Sequence, residues 1–248
     1  MPEVPAGFET MNKPFLVVGF SFLVFLLTIG IIPASPQTSL FSIPTTDVAE
    51  KGRGYIEADF DAHFGGRESD KFRSYGFLAV YGVHKDLEVG LNGYFVRIDQ
   101  DNQPVELQPN VKWQAYQNEK LGLVVAAGAI AYFPLSKRAG TDAAATFYSV
   151  ASKQFKGDFG PRLTGGGYGI AGRANEGSRY GGLIGVEQPI HRRVTFIADW
   201  NTGKNRFGYA AAGLGFTLTK KSSLYAAYYF GNEGRGNNSL GIYYGYAF

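Results

Sequence analysis

Segments in which apolar and polar residues alternate with a period of two recur along the chain after residue 52, with apolar residues on both sides in the second, eighth and tenth, and this restricts the fold to strands. In residues 54–64, Ile56, Ala58, Phe60, Ala62 and Phe64 share one side, while Tyr55, Glu57, Asp59, Asp61 and His63 share the other. Twelve such segments follow one another, at 53–64, 72–83, 87–98, 107–116, 121–133, 146–155, 160–172, 180–188, 194–202, 207–219, 224–231 and 238–248. Their lengths fit the roughly 9–11 tilted residues that carry a β-strand across a bilayer. Composition agrees with this reading. Each of the 34 Gly would weaken a helix interior by about 1 kcal/mol relative to Ala. Aromatic residues make up 15% of the chain and charged residues only 18%, the opposite of a disordered composition.

The connections alternate in character. Residues 84–86, 118–120, 156–158, 191–193 and 220–222 are tight, and each carries Lys or Arg, which suits anionic lipid head groups as well as plain solvation. The other set is mostly longer, at 65–71, 99–106, 134–145, 173–179 and 232–237. Short turns at one rim and long loops at the other are the arrangement of a transmembrane β-barrel, with the short turns periplasmic. An even strand number returns both ends of the barrel sequence to that side.

Ahead of the strands, Lys13 precedes an apolar run from Phe15 to Ile32, which ends at Pro33-Ala34-Ser35-Pro36. A basic start, an apolar stretch and a small-residue exit read as a secretory signal peptide, residues 1–34, with Met11 as a candidate true start and cleavage after Ala34. The run is also near the roughly 18 apolar residues that can span a bilayer, so a retained inner-membrane anchor is the competing reading. Residues 35–52 read as a linker and 53–248 as the barrel.

The last strand carries the most specific feature. Leu240, Ile242, Tyr244, Tyr246 and Phe248 alternate up to a terminal Phe. This resembles the closing strand of bacterial outer-membrane β-barrel proteins, and the resemblance implies that Tyr244, Tyr246 and Phe248 form a signal for the barrel-assembly machinery and that the chain resides in the cell outer membrane. Tyr75-Gly76, Tyr81-Gly82-Val83 and Leu87-Glu88-Val89-Gly90-Leu91-Asn92 resemble a hairpin of porin-like transporters of that membrane. The expected fold is therefore all-β: a transmembrane antiparallel up-and-down β-barrel of twelve strands. Hydrocarbon demands this closure, because every backbone polar group must be paired within the protein. Phe60, Leu91, Trp113, Leu123, Val125, Phe196, Leu214 and Leu218 are expected to face outer-membrane lipid. Trp200, Tyr209, Tyr228, Tyr244 and Tyr246 are candidates for the interfacial girdles.

By phase, the lumen receives Glu57, Asp59, Asp61, Glu88, Asn92, Asn110, Lys112, Arg162, Glu187 and Asp199, together with His63, Gln108, Gln114, Thr164 and Asn201. Carboxylates outnumber fixed cations in this set, so the wall would enrich cations and repel anions. Gly166, Gly241 and Gly245 on the same face are expected to leave room for water. The function this predicts is a porin-like channel for passive, weakly cation-preferring diffusion of small solutes. Two other readings stay open: Lys112 and Arg162 could pair with carboxylates in a network that fills the barrel, or a non-conducting barrel could bind partners through loops such as 133–145.

Little in the sequence points to catalysis. Residues two apart on a strand are separated by roughly 6.8 Å, so Asp59, Asp61 and His63 do not converge as a metal or catalytic site on their own. Asp99 and Asp101 bring outer-membrane proteases to mind, but no second acid–His pair appears. His63, His84 and His191 occur in no His-x-Ser pattern, as a nucleophile–base pair of outer-membrane phospholipases would need. Gly167 to Gly172 matches Gly-x-Gly-x-x-Gly but lies inside a strand pattern with no following helix. No Cys is present, and a net charge of +3 gives no footprint for nucleic acid. No cofactor or metal is expected.

Overall fold

The computed structural model describes residues 38–63, 72–98, 101–135, 142–172, 177–234 and 238–248, with the backbone alone described at 96–98 and 101–104. Residues 1–37, 64–71, 99–100, 136–141, 173–176 and 235–237 lie outside the described residues, and so does the signal peptide expected over 1–34. Twelve antiparallel strands close on themselves: β1 (Gly54–His63), β2 (Phe72–His84), β3 (Leu87–Ile98), β4 (Asp101–Asn118), β5 (Leu123–Pro134), β6 (Ala144–Gln154), β7 (Arg162–Gly172), β8 (Tyr180–His191), β9 (Val194–Asn201), β10 (Tyr209–Thr217), β11 (Ser222–Gly231) and β12 (Ser239–Ala247). Each strand pairs with its sequence neighbours, and β12 pairs with β1 to complete the ring.

The alternation becomes two faces. Ile56, Trp113, Phe147, Ile184, Ile242 and Tyr244 are among the large apolar side chains left exposed on the outside. On β12 the sequence Ser-Leu-Gly-Ile-Tyr-Tyr-Gly-Tyr steps strictly between buried and exposed positions. A surface of this kind is stable against lipid and not against water.

At the seam, Phe248 donates its backbone N–H to the Gly54 carbonyl and accepts from the Gly54 N–H, at 2.9 and 3.0 Å. The Phe248 ring lies where a Gly54 side chain would be, 2.4 Å from a Cβ built there. Among the described residues the backbone register shifts at four places, one of them between Pro189 and His191, where proline cannot donate to the ladder.

Most strand bounds move by a few residues, and two sequence readings change in substance. β4 begins at Asp101, so most of the stretch read as a loop at 99–106 is strand, paired to β3 as far as Ile98↔Asp101. The hairpin continues because antiparallel pairing still satisfies the backbone there. Residues 38–52, read as a linker, also do more than connect: they run inside the barrel. Thr45 donates to the Thr38 carbonyl and Leu40 to Ile43, which folds 38–45 into a small closed loop. Leu40 and Ile43 are 2% and 1% exposed and sit at the centre of the inner apolar cluster, with Leu183, Ile197, Tyr225 and Tyr229 around them. Burying two such aliphatic side chains stabilises the arrangement by about 1.5–3 kcal/mol each.

Candidate functional site

Strand phase sets which side chains enter the barrel, and the segment 38–50 decides what they do there. Asp199 on β9 points inward, and one of its oxygens accepts the backbone N–H groups of Phe41, Ser42 and Ile43, at 2.7, 2.7 and 3.4 Å. Lys112 on β4 donates to the Thr38 carbonyl at 2.6 Å and pairs with Glu88 on β3 at 3.0 Å. The other Glu88 oxygen accepts the Ala49 N–H at 2.7 Å. Arg162 on β7 grips Asp47 through two nitrogens, at 2.5 and 3.0 Å, bonds the Thr46 hydroxyl at 2.6 Å, and lies 3.6 Å from Glu187 on β8. Gln114 holds the Thr46 carbonyl. Each backbone group named here would be costly to bury without such a partner.

Five of the ten sequence-assigned lumen residues, Glu88, Lys112, Arg162, Glu187 and Asp199, are thus engaged with segment 38–50 or with one another around it. The ion pairs expected of a filled barrel exist as Lys112–Glu88 and Arg162–Glu187. Asn110 donates to Asn92 at 3.1 Å, a short polar bridge between β4 and β3.

Glu57, Asp59 and Asp61 are separate from this cluster. All three line a cavity of about 520 Å³ above the segment, whose floor is formed by residues 39–42. Its other walls include Phe72 and Ser239, the first residues of β2 and β12, and Arg206 and Phe207 in the β9–β10 connection, so it lies toward the long-loop end. That end is extracellular in barrels with short periplasmic turns. Each carboxylate is held by one tyrosine hydroxyl. Tyr55 donates to Glu57 at 2.5 Å, Tyr94 to Asp59 at 2.9 Å and Tyr243 to Asp61 at 2.5 Å. Among the described residues no Lys, Arg or His forms an ion pair with any of the three.

Across the same cavity Glu106 is neutralised. Arg206 donates to both its oxygens at 2.6 Å and spreads its guanidinium over Tyr132 and Phe207, 5.0 and 4.7 Å from the ring centres.

Several expectations are corrected. Two of the inward glycines, Gly241 and Gly245, are buried and do not leave open water. A Cβ on Gly245 would lie 1.9 Å from the Tyr55 hydroxyl, and one on Gly241 2.0 Å from that of Tyr243. Gly166 faces the β6 backbone, with Ser149 O 2.1 Å from a built Cβ. At Gly241 and Gly245 the vacated volume is filled by the Tyr243 and Tyr55 rings, because close packing leaves few voids beside large side chains. Tyr209, a girdle candidate, packs edge-on against Tyr229 and lines the cavity instead. His63 stacks on Phe72 and bonds the Asn238 carbonyl.

The sequence reading put Tyr55 on the acidic face of β1 but missed the other inward tyrosines, Glu106 with Arg206, and the role of 38–50. Tyr243 shares a phase with Gly241 and Gly245, so alternation alone could have placed its ring inside. The contacts of Arg206 and of the segment carry no local signal.

No protein-family model and no curated protein matches the chain. Solved structures do resemble it. The KdgM porin superposes with a TM-score of 0.59 at 9% identity, over 78% of this chain and 99% of that one. The KdgM porin in complex with disordered oligogalacturonate gives 0.57 at 9% identity, with the same coverage. The COG4313 outer membrane channel from Pseudomonas putida F1 gives 0.51 at 12% identity, over 87% of this chain and 100% of that one. The fold is that of the bacterial outer-membrane β-barrels.

Proposed function

We propose that the chain is a porin-like channel of the cell outer membrane for small solutes, with a preference for cations and no catalytic role. The observation that carries this reading is the cavity at the long-loop end, where Glu57, Asp59 and Asp61 face about 520 Å³ of open space without a cationic partner among the described residues. Fixed carboxylates on a low-dielectric wall raise the local cation concentration and repel anions. The fold shared with a porin and an outer-membrane channel supports passage through the lumen.

The seated segment favours a second reading, a filled barrel that does not conduct, because Leu40, Ile43, Thr45 and Thr46 are almost fully buried between the cavity and the short-turn end. Single-channel recording in a planar bilayer under a salt gradient separates the two. The channel reading expects stepwise currents with a cation-selective reversal potential, and loss of that selectivity in the triple variant Glu57→Gln/Asp59→Asn/Asp61→Asn. Unchanged selectivity in the variant would remove these residues from the role. Silence from folded protein, both intact and lacking residues 35–50, would leave the filled barrel.

A further inference from the structure

The five tight connections at the short-turn end are not equivalent. Those after β2, β4 and β6 each carry one lysine and one acid: Lys85 with Asp86, Lys120 with Glu119 and Lys156 with Asp158. Lys85 and Asp86 lie 3.6 Å apart. The connections after β8 and β10 carry Arg192 and Arg193, and Lys220 and Lys221, with no acid in either. These two stand side by side, because β9 pairs with β10. Closure of the barrel therefore gathers cations from separate parts of the chain into one sector of the rim.

Both turns are preformed. Thr219 Oγ1 accepts the backbone N–H groups of Lys221 and Ser222, at 3.1 and 3.0 Å, and the Lys221 carbonyl accepts from Ala247 at 2.7 Å. The Arg193 carbonyl accepts from Thr217 at 2.9 Å, which ties the end of β10 to the neighbouring turn. Arg193 is itself buried, whereas Arg192, Lys220 and Lys221 are exposed. Among the described residues none of these three forms an ion pair. Neighbouring strands run about 4.8 Å apart, so adjacent hairpin turns stand roughly 10 Å apart, within reach of long basic side chains converging on one anionic group.

The surface beside these charges narrows what that group belongs to. Ile190 on β8 and Phe196 on β9, close to the Arg192 turn in sequence, are 57% and 39% exposed on the outer face. Phe216 at the end of β10 adds a half-buried ring. A free anion would use the cations alone. A phospholipid uses both surfaces, with its phosphate at the turns and its acyl chains along the apolar wall. In a barrel with short periplasmic turns this rim meets the headgroups of the inner leaflet.

We propose that the β8–β11 sector of the short-turn rim is a binding site for an anionic phospholipid, with the headgroup phosphate shared by Arg192, Lys220 and Lys221 and the acyl chains against Ile190 and Phe196. The site lies on the outside of the barrel and does not depend on whether the lumen conducts.

Native mass spectrometry of the full protein, purified from outer membranes and delipidated in nonionic detergent, tests it. The probes are dimyristoyl phosphatidylglycerol, dimyristoyl phosphatidylcholine and sn-glycerol 3-phosphate. Phosphatidylglycerol is expected to bind at least tenfold tighter than phosphatidylcholine, and glycerol phosphate far more weakly than either lipid. Each basic side chain near an anionic headgroup contributes roughly fivefold, so Arg192→Gln/Lys220→Gln/Lys221→Gln is expected to weaken phosphatidylglycerol about ten- to hundredfold. Lys85→Gln/Lys120→Gln/Lys156→Gln removes the same charge from the three acid-bearing turns and is expected to bind as the parent does. Circular dichroism and heat-shifted gel mobility establish that each variant is folded, and Lys220→Gln/Lys221→Gln provides a second reading of the site. Equal affinity for the two lipids overturns the proposal. So does unchanged affinity in the first triple variant, or an equal loss in both, which would make the preference a matter of net charge alone. Glycerol phosphate bound as tightly as the lipid would also overturn it, leaving an anion site without acyl contacts.

Discussion

At the scale of single residues, the lumen is governed by whether each buried charge has its partner. Glu88 and Lys112 are both 2% exposed and bonded to each other and to the segment. Breaking a buried pair from one side leaves an uncompensated charge, so Lys112→Met is expected to lower unfolding stability by about 3–5 kcal/mol. The double variant Glu88→Gln/Lys112→Met is expected to recover much of that loss, since the amide still accepts from Ala49. Urea titration of the barrel in micelles measures both. Asp199 acts on the backbone: its three accepted N–H bonds fix the turn at 41–43. Gly185 acts through space, for a Cβ there would stand 2.5 Å from Leu40 Cδ1 and 2.9 Å from Ile43 Cδ1. Asp199→Asn and Gly185→Val are both expected to loosen the segment. The chain has no Cys, so a single Thr46→Cys substitution gives a clean reporter. Thr46 is 0% exposed, and its maleimide labelling is expected to be slow in the parent and at least tenfold faster in either variant.

At the scale of elements, the seam and the inner segment meet at the short-turn rim. The Gly52 N–H bonds the Gly82 carbonyl at 2.8 Å, and a Cβ on Gly82 would stand 2.2 Å from Glu50 O. The segment therefore crosses β2 at a position that admits only glycine. Next to it, Phe248 covers Gly54 and completes the β1–β12 ladder. Phe248→Ala is expected to keep the twelve-strand register but lower the yield of heat-stable folded barrel, because the ring and the closing ladder meet at one point. Refolding yield on unheated gels checks this, and a yield equal to the parent's would separate the terminal ring from closure.

At the scale of the whole molecule, the barrel holds an outward acidic vestibule above an inward plug made of its own chain. The contacts that seat segment 38–50 come from β3, β4, β6, β7, β8 and β9, so removing it unloads much of the inner wall at once. A chain lacking residues 35–50 is expected to show larger and longer unitary currents than the intact chain while retaining cation preference, since Glu57, Asp59 and Asp61 bond only to residues outside the deletion. Equal conductance before and after deletion would show that the segment does not limit the path.

The strand number, the two faces and the inward phase of β1, β3, β4 and β9 are legible in the sequence, because period two is a local property and lipid enforces it at every turn of the pleat. Glu57, Asp59 and Asp61 share a face by arithmetic alone. What tertiary structure decided is which inward groups are already occupied. Asp199 and Asp59 look alike in sequence, yet one accepts three amides from residues about 157 positions away and the other accepts the Tyr94 hydroxyl. Ring closure brings residue 41 to residue 199 and residue 206 to residue 106. No periodicity encodes such pairings, since they depend on the barrel's width and on where a non-repetitive segment can bury Leu40 and Ile43 while finding partners for its backbone.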